Sequence, residues 1–458
     1  MSAAAQTASE RFAAHALGVD ARTLDAETLS ALSNFTRDTL AVGVGGAAAP
    51  YAQSARRAAL GWAAPGRARL WSGGGAISAA QAAFINAFQA HCQEFDCVLE
   101  AAVLHPMTVV APVLFAEADA HGLSGEAFAA ACVAGVDVAG SLGIAATTQI
   151  KFFRPATCGL FGAVAALCRA RSLSQAQTVD AFGYALAFAS GTMQAHVEGT
   201  PALAVQVAHA AQSAFQAVDL AQAGLPGPKG ALDGPFGYLT LFETGFDLER
   251  VWPSLRPGAR LRAVSWKPHP TGRAAHGGIE MALALHAEGV RPEAIQSLRF
   301  AVTPLIHHLV GRPIVAPLEV NYARLCLPYC AAAALRFGAV SLSHFTPAFL
   351  NDPETHALAK RVTVAVEDNA DAAAFTPQSL TVERADGAQR SLRIDALLGT
   401  PARPLSSAQQ AQKLRDCVAF GFGAPREDVA LALEHLTADI LGLSDVSQLS
   451  RAAAGEAL

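Results

Sequence analysis

The chain has 458 residues, of which 52% are hydrophobic and only 16% charged, with a formal net charge of −5. That length supports two or three domains and a large core, and the absence of any basic tract excludes nucleic acid as a partner. So little charge leaves apolar surface to be covered, which predicts burial in a homo-oligomer.

The N-terminal stretch MSAAAQTASERFAAHALGVDA lacks an apolar run behind a positive segment and is not expected to be a secretory signal. Up to about residue 265 the pattern is helical. AISAAQAAFINAFQAHCQEFD places Phe84, Phe88, His91 and Phe95 at helical spacing. SGEAFAAACVAGVDVAGSLG opens with an N-cap candidate, Ser124, and Glu126 in its first turn. Residues 199–218 carry no Asp, Glu, Lys or Arg over a membrane-spanning length. Gln206, His209, Gln212 and Gln216 make them a buried helix instead, so no membrane partner is expected. The eight cysteines form no CxxC pair and predict reduced, buried thiols in a cytoplasmic protein.

The texture changes after residue 290. IQSLRFAVTPLIHHLV, RVTVAVED and QSLTVERADGAQRSLRID alternate as strands do, and Ala385-Asp386-Gly387 is a hairpin signal. On this reading His307 and His308 lie on a strand, facing opposite sides. YARLCLPYCAAAALRFGAV reads as a helix, and the tail is helical again. The fold class expected is mainly α with a smaller α+β domain. Residues 1–267 and 401–458 would form the helical domain, and residues 268–400 the α+β domain.

Three places put a basic residue beside a proline at a helix start: His105-Pro106, Arg154-Pro155, and Lys267 with His269-Pro270. A residue before proline avoids the helical region, and proline suits the first helical position. A cation there is unfavourable for stability but suits a bound carboxylate. Three such places suggest an anionic ligand with more than one carboxylate; incidental basic residues at surface helix starts are the plainer alternative. At the third place Arg273 and His276 share a face at i,i+3, with Glu280 one turn on and available to pair with either. In HCQEFDCVLEAAVLHP, His91 and Glu94 share a face while Asp96 points elsewhere. His91 and His105 with these acids lack the close spacing of an HExxH motif, so no metal is expected.

The segments FINAFQAHCQEFDC with LHP, LSGEAFAAACVAGVDVAGSLG, FRPATCGLFGAVAALCRARSLS, AGLPGPKGALDGPFGYLTLF, SWKPHPTGRAAHGGIEMAL and ARLCLPYCAAAALRFGAVSLSHFT occur in an order that resembles the MmgE/PrpD family. Its members include 2-methylcitrate dehydratases, cis-aconitate decarboxylases and iminodisuccinate epimerases. The resemblance implies a helical domain made from both chain ends, an α+β lid, a homodimer, and an interdomain site for small di- or tricarboxylic acids that needs no cofactor. Lys267 matches the lysine that opens the family's lid motif, His276 a histidine at its end, and His105 the histidine of its HP pair. The family's DFDDT segment is Glu94-Phe95-Asp96-Cys97-Val98 here. On this resemblance Arg154 replaces the histidine of a second HP pair and Gly272 a histidine of the decarboxylases, and a family lysine that aligns near Leu203 is missing from EGTPALAVQVAHAA.

The expected function is removal of a proton α to a carboxylate, with Lys267 or His105 as base and Glu94 or Asp96 assisting. Arg154, Arg273, His91 and His276 would bind substrate. A hydro-lyase of the 2-methylcitrate dehydratase type comes first. An epimerase of the iminodisuccinate type, or a carboxylate-binding relative without catalysis, is the alternative.

Overall fold

The computed structural model describes residues 6–371 and 373–457. The helices that matter for the site are α1 (Ala26–Gly46), α2 (Ala79–His91), α3 (Met107–His121), α4 (Gly125–Ala145), α5 (Arg154–Ala170), α6 (Ala202–Gln222), α7 (His276–Ala287), α8 (Leu327–Phe337) and α9 (Ser407–Phe422). Asp25 and Ser124 cap α1 and α4, each accepting a backbone N–H three residues on.

The helical body is layered. α2 packs on α1, α3 and α6, and α5 packs on α4 and α6. α4 and α5 meet at Gly135 and Gly162. A Cβ at Gly135 would lie 2.7 Å from the Gly162 carbonyl, and the reverse is 2.5 Å, so only two glycines permit this approach. The returning tail helix α9 packs along α1. Its buried Lys413 pairs with Asp38 at 2.7 Å and donates to the Phe95 carbonyl at 2.9 Å. The C-terminal segment thus pins the loop that follows α2.

The smaller part holds a four-stranded sheet of β1 (Ile295–Val302), β2 (Val362–Val366), β3 (Gln378–Arg384) and β4 (Gln389–Ile394), in the order β2-β1-β3-β4. β1 runs parallel to β2 and antiparallel to β3, and the β3–β4 hairpin turns at Ala385-Asp386-Gly387, where Gly387 has φ 81°. α7 packs on β3, β4 and α8. The molecule is therefore mainly α with a smaller α+β part.

One local reading is corrected. His307 and His308 lie on a helix, Pro304–Val310: Thr303 caps it and Pro304 sits in its first turn, so the strand stops at Val302. Among the described residues the helix long and apolar enough to cross a membrane is α4 rather than residues 199–218, and 89% of its most apolar window is buried inside the protein. All eight cysteines are free, and all but Cys92 are fully buried.

Candidate active site

The site is assembled by three local devices. α2 ends at His91, and Glu94 takes a left-handed conformation (φ 52°), which reverses the chain. Val98 then forms a backbone bridge with Ser265 (3.0 and 2.7 Å), which delivers Lys267 beside Glu94. Leu99 bridges Leu104 across a tight turn with Val103 at φ 50°, which returns the chain to His105 just before α3.

The result is a buried network. Lys267 donates to Glu94 Oε2 at 3.0 Å and to the Glu94 carbonyl at 3.1 Å, with Asp96 Oδ1 at 3.7 Å. Asp96 Oδ2 receives the Thr108 hydroxyl at 2.6 Å, lies 2.9 Å from His91 Nδ1, and lies 3.3 Å from His105 Nδ1. Asp96 thus joins the cluster rather than pointing away. α2 has already ended, so helical spacing no longer governs its direction.

Burial opposes ionisation of Glu94, but Lys267, His91 and His105 overcome it and hold the carboxyl down at about 2. Asp96 is likewise held below its usual range by His105, His91 and Lys267 against burial. Burial works against the His91 cation, yet Asp96 and Glu94 raise its pKa. His105 goes the other way, down to about 4, because burial and the Lys267 and His91 charges outweigh Asp96.

His105 Nδ1 lies 2.9 Å from the Cys97 carbonyl. A carbonyl only accepts, so Nδ1 carries the proton and Nε2 keeps its lone pair. His105 and Glu94 line a small cavity of about 50 Å³ with Val98, Ile150, Phe153 and Met193 from the body and Gly272, Leu309, Leu325 and Phe375 from the sheet-bearing part. Arg273 also lines it, and its Nη2 is buried without a partner among the described residues, although Nε binds Glu100 at 2.7 Å.

Other candidates lie differently. The Arg154 guanidinium grips Glu243 through two 2.9 Å bonds and also donates to the Ala102 and Thr148 carbonyls, so it is engaged as a structural clasp. His276 lies 3.3 Å from Arg273 Nη1 and 3.4 Å from the Thr271 carbonyl, and it faces a different cavity. The helix does not begin at Pro270; a 3₁₀ turn, Arg273–Ala275, precedes it, and Glu280 pairs with Arg403.

That second cavity is larger, about 670 Å³, and is lined by Phe95, His269, His276, Leu283, Leu405 and Phe420 among others. It is lined by none of Glu94, Asp96, His105 or Lys267, whereas Glu94 and His105 line the smaller one. His91, Asp96 and His105 offer ligand atoms within 4.8 Å of one another, close enough for a metal. The Lys267 ammonium beside Asp96 and the His91 bond to its carboxylate already supply positive charge and a donor there.

Sequence reasoning missed three buried or half-buried cations and donors: His196, Arg312 and Arg324. His196 lines the small cavity, and Arg312 Nη2 donates to its Nδ1 at 3.1 Å. Arg324 is fully buried, with Nε and Nη1 unpartnered. One signal was available: Arg312-Pro313 repeats the basic-proline pattern.

Comparison with known proteins agrees with this architecture. The MmgE/PrpD N-terminal domain matches residues 10–251 and the MmgE/PrpD C-terminal domain matches residues 269–438. The chain is 26% identical to cis-aconitate decarboxylase of Homo sapiens over 73% of this chain and 71% of that protein. It is 27% identical to the cis-aconitate decarboxylase-like protein oryM of Aspergillus oryzae, over 74% and 76%. It is also 27% identical to cis-aconitate decarboxylase of Mus musculus, over 73% and 70%. With both domain matches in order along one chain, this protein belongs to the MmgE/PrpD family.

Proposed function

We propose that the chain is an enzyme that removes a proton from the carbon α to a carboxylate of a small di- or tricarboxylic acid. His105 Nε2 is the base. The observation that carries this is the bond from His105 Nδ1 to the Cys97 carbonyl, which leaves an unprotonated Nε2 on a histidine lining a cavity. Lys267 acts as an ammonium donor to Glu94 rather than as the base, since its contacts are all to oxygen acceptors.

Elimination of a hydroxyl, as in a 2-methylcitrate dehydratase, needs a base at the carbon and an acid at the departing hydroxyl; His105 takes the proton, and the Lys267 ammonium, paired with Glu94, gives one so that the hydroxyl leaves as water. Epimerisation is the second reading. It needs a base on one face and a proton donor on the other; Glu94 lines the same cavity and is bonded to the Lys267 ammonium, which supplies the proton returned on the second face. The decarboxylase names of the relatives do not carry over as an activity. Gly272 and Leu203 stand where the resemblance places two of the family's polar groups.

At about 50 Å³ the cavity is far below the roughly 300 Å³ of an ordinary ligand pocket, so admission requires the sheet-bearing part to move off the helical body. In this reading residues 1–267 and 401–458 are the body and residues 268–400 the lid, and the enzyme is a cytoplasmic homodimer. Phe236 and Trp62, 79% and 59% exposed, support an apolar surface awaiting a partner copy.

The test is incubation with citrate-like and aspartate-like acids in D₂O. Alkene formation supports the dehydratase, and deuterium uptake without net product supports the epimerase. No uptake and no product across the panel refutes the enzyme reading for those acids. His105→Gln should reduce turnover by about 10²–10⁴-fold; an unchanged rate removes His105 as base.

A further inference from the structure

His196 is 5% exposed and sits in a short helical turn, Gln194–Glu198, that ends at Gly199. Its ring contacts are one-sided. Arg312 Nη2 donates to Nδ1 at 3.1 Å, and among the described residues none hydrogen-bonds to Nε2. A guanidinium has donors only, so Nδ1 must be the acceptor and Nε2 must carry the proton. Arg312 is itself held in place. Its guanidinium lies 4.9 Å over the Tyr322 ring, whose hydroxyl donates to the Pro313 carbonyl at 2.8 Å. Tyr322 in turn presses on Gly199, where an added Cβ would meet its Cα at 2.6 Å. The histidine turn and the arginine segment are therefore fitted to each other across the cavity wall.

We infer that His196, fixed by Arg312 as the Nε2–H tautomer, is a second catalytic residue that donates a hydrogen bond to the substrate carboxylate oxygen on which charge develops. The inference rests on the function proposed above. The α C–H bond breaks, its proton goes to His105 Nε2, and its electron pair moves toward the carboxylate, which becomes an enediolate. The His196 N–H stabilises that oxygen without giving up its proton. A donor placed where charge develops contributes more than one that binds ground state and transition state alike. A neutral histidine suits the role, because an imidazolium would transfer its proton instead of only sharing it. Burial and Arg312 keep His196 neutral, down at about 3; His308 and His91 act in the same direction, and Glu94 is the opposing charge. His105 and His196 line the same cavity, which puts an acceptor and a donor around one substrate.

Two measurements on the full-length chain test this. The first is α-proton exchange in D₂O with the best acid from the panel. His196→Ala should lower kcat by about 10²–10³-fold with KM changed much less. His196→Gln, which keeps an N–H donor, should recover part of the loss. Arg312→Met should lose rate and gain an acid limb as His196 becomes free to protonate, and Arg312→Lys, which keeps a cationic donor, should recover part of that rate. The second is histidine ¹⁵N NMR of the wild type, with the His196 signal assigned by loss in the Gln variant. It should show the Nε2–H form from pH 5 to pH 8. Unchanged exchange in His196→Ala, or an Nδ1–H or charged His196, overturns the proposal while leaving the enzyme reading intact. Absence of exchange in the wild type overturns both together.

Discussion

Replacing Arg154 with methionine separates a structural clasp from a substrate clamp. The guanidinium makes two 2.9 Å bonds to Glu243 and reaches the Ala102 and Thr148 carbonyls at 3.3 and 3.2 Å. Both charged groups are less than a tenth exposed. Methionine fills much of the space but leaves the Glu243 carboxylate buried, with only the Tyr238 hydroxyl at 3.4 Å as a partner among the described residues. Breaking a buried pair from one side costs about 3–5 kcal/mol, whereas replacing both partners with apolar groups is often close to neutral. With a urea slope of roughly 3 kcal/mol/M, the denaturation midpoint should fall by about 1 M in Arg154→Met. Most of that loss should return in Arg154→Met/Glu243→Leu. Urea unfolding of both variants, followed by far-UV circular dichroism, makes the measurement. If Arg154→Met keeps the wild-type midpoint while KM rises tenfold or more, the arginine holds substrate and the clasp argument fails.

Three further outcomes follow from the same geometry. Lys267→Met leaves Glu94 and Asp96 without the ammonium between them. It should abolish turnover and destabilise the fold by several kcal/mol, of order 3–5, and Lys267→Met/Glu94→Gln should regain stability without activity. His105, His196 and His269 are held down at about 4, 3 and 4, chiefly by burial. The unfolded histidines take up protons near 6.5, so the stability these groups contribute is complete above pH 6.5 and is lost as pH falls toward 4. Urea midpoints measured from pH 7.5 to 4.5 should fall accordingly, and a flat profile would refute the burial argument. Gly46→Ala drives a Cβ to 1.9 Å from the Gln89 carbonyl and should cost about 1–3 kcal/mol or more. Gly61→Ala, in a helix with open space around it, should be neutral or stabilise by up to about 1 kcal/mol; thermal melts of the pair check this.

Local signals make part of the site legible in the sequence. His105 and Lys267 each stand beside a proline, and Glu94 and Asp96 are conspicuous in a chain so poor in charge. Long-range pairing is what spacing does not reveal. Nothing near Arg154 announces Glu243, 89 residues away, as the partner of its guanidinium. Asp96 reads as turned away only if α2 continues; it stops at His91, and one left-handed residue, Glu94, redirects the chain. Alternation in IQSLRFAVTPLIHHLV hid a Thr-Pro helix start that outranks it. His196 carries no local mark, because its significance comes from Arg312, 116 residues on.

The division of roles between the two parts explains why reaction type and substrate choice need not change together. The groups proposed for the acid–base chemistry, His91, Glu94, Asp96, His105 and Lys267, lie between α2 and the Val98–Ser265 bridge, on the body side. The sheet-bearing part contributes a wall of Gly272, Leu309, Leu325 and Phe375, and it brings the guanidinium groups of Arg273, Arg312 and Arg324 close to that network. Unpaired buried guanidinium donors are costly in an empty site, and anionic oxygens relieve the cost. Ligand carboxylates would therefore favour the closed arrangement by pairing with donors that the protein leaves unmatched. Closure in turn excludes water from the His105 lone pair. On this argument the number and placement of carboxylates decide which acids close the site. The network around Asp96 decides what happens to the proton once it has closed.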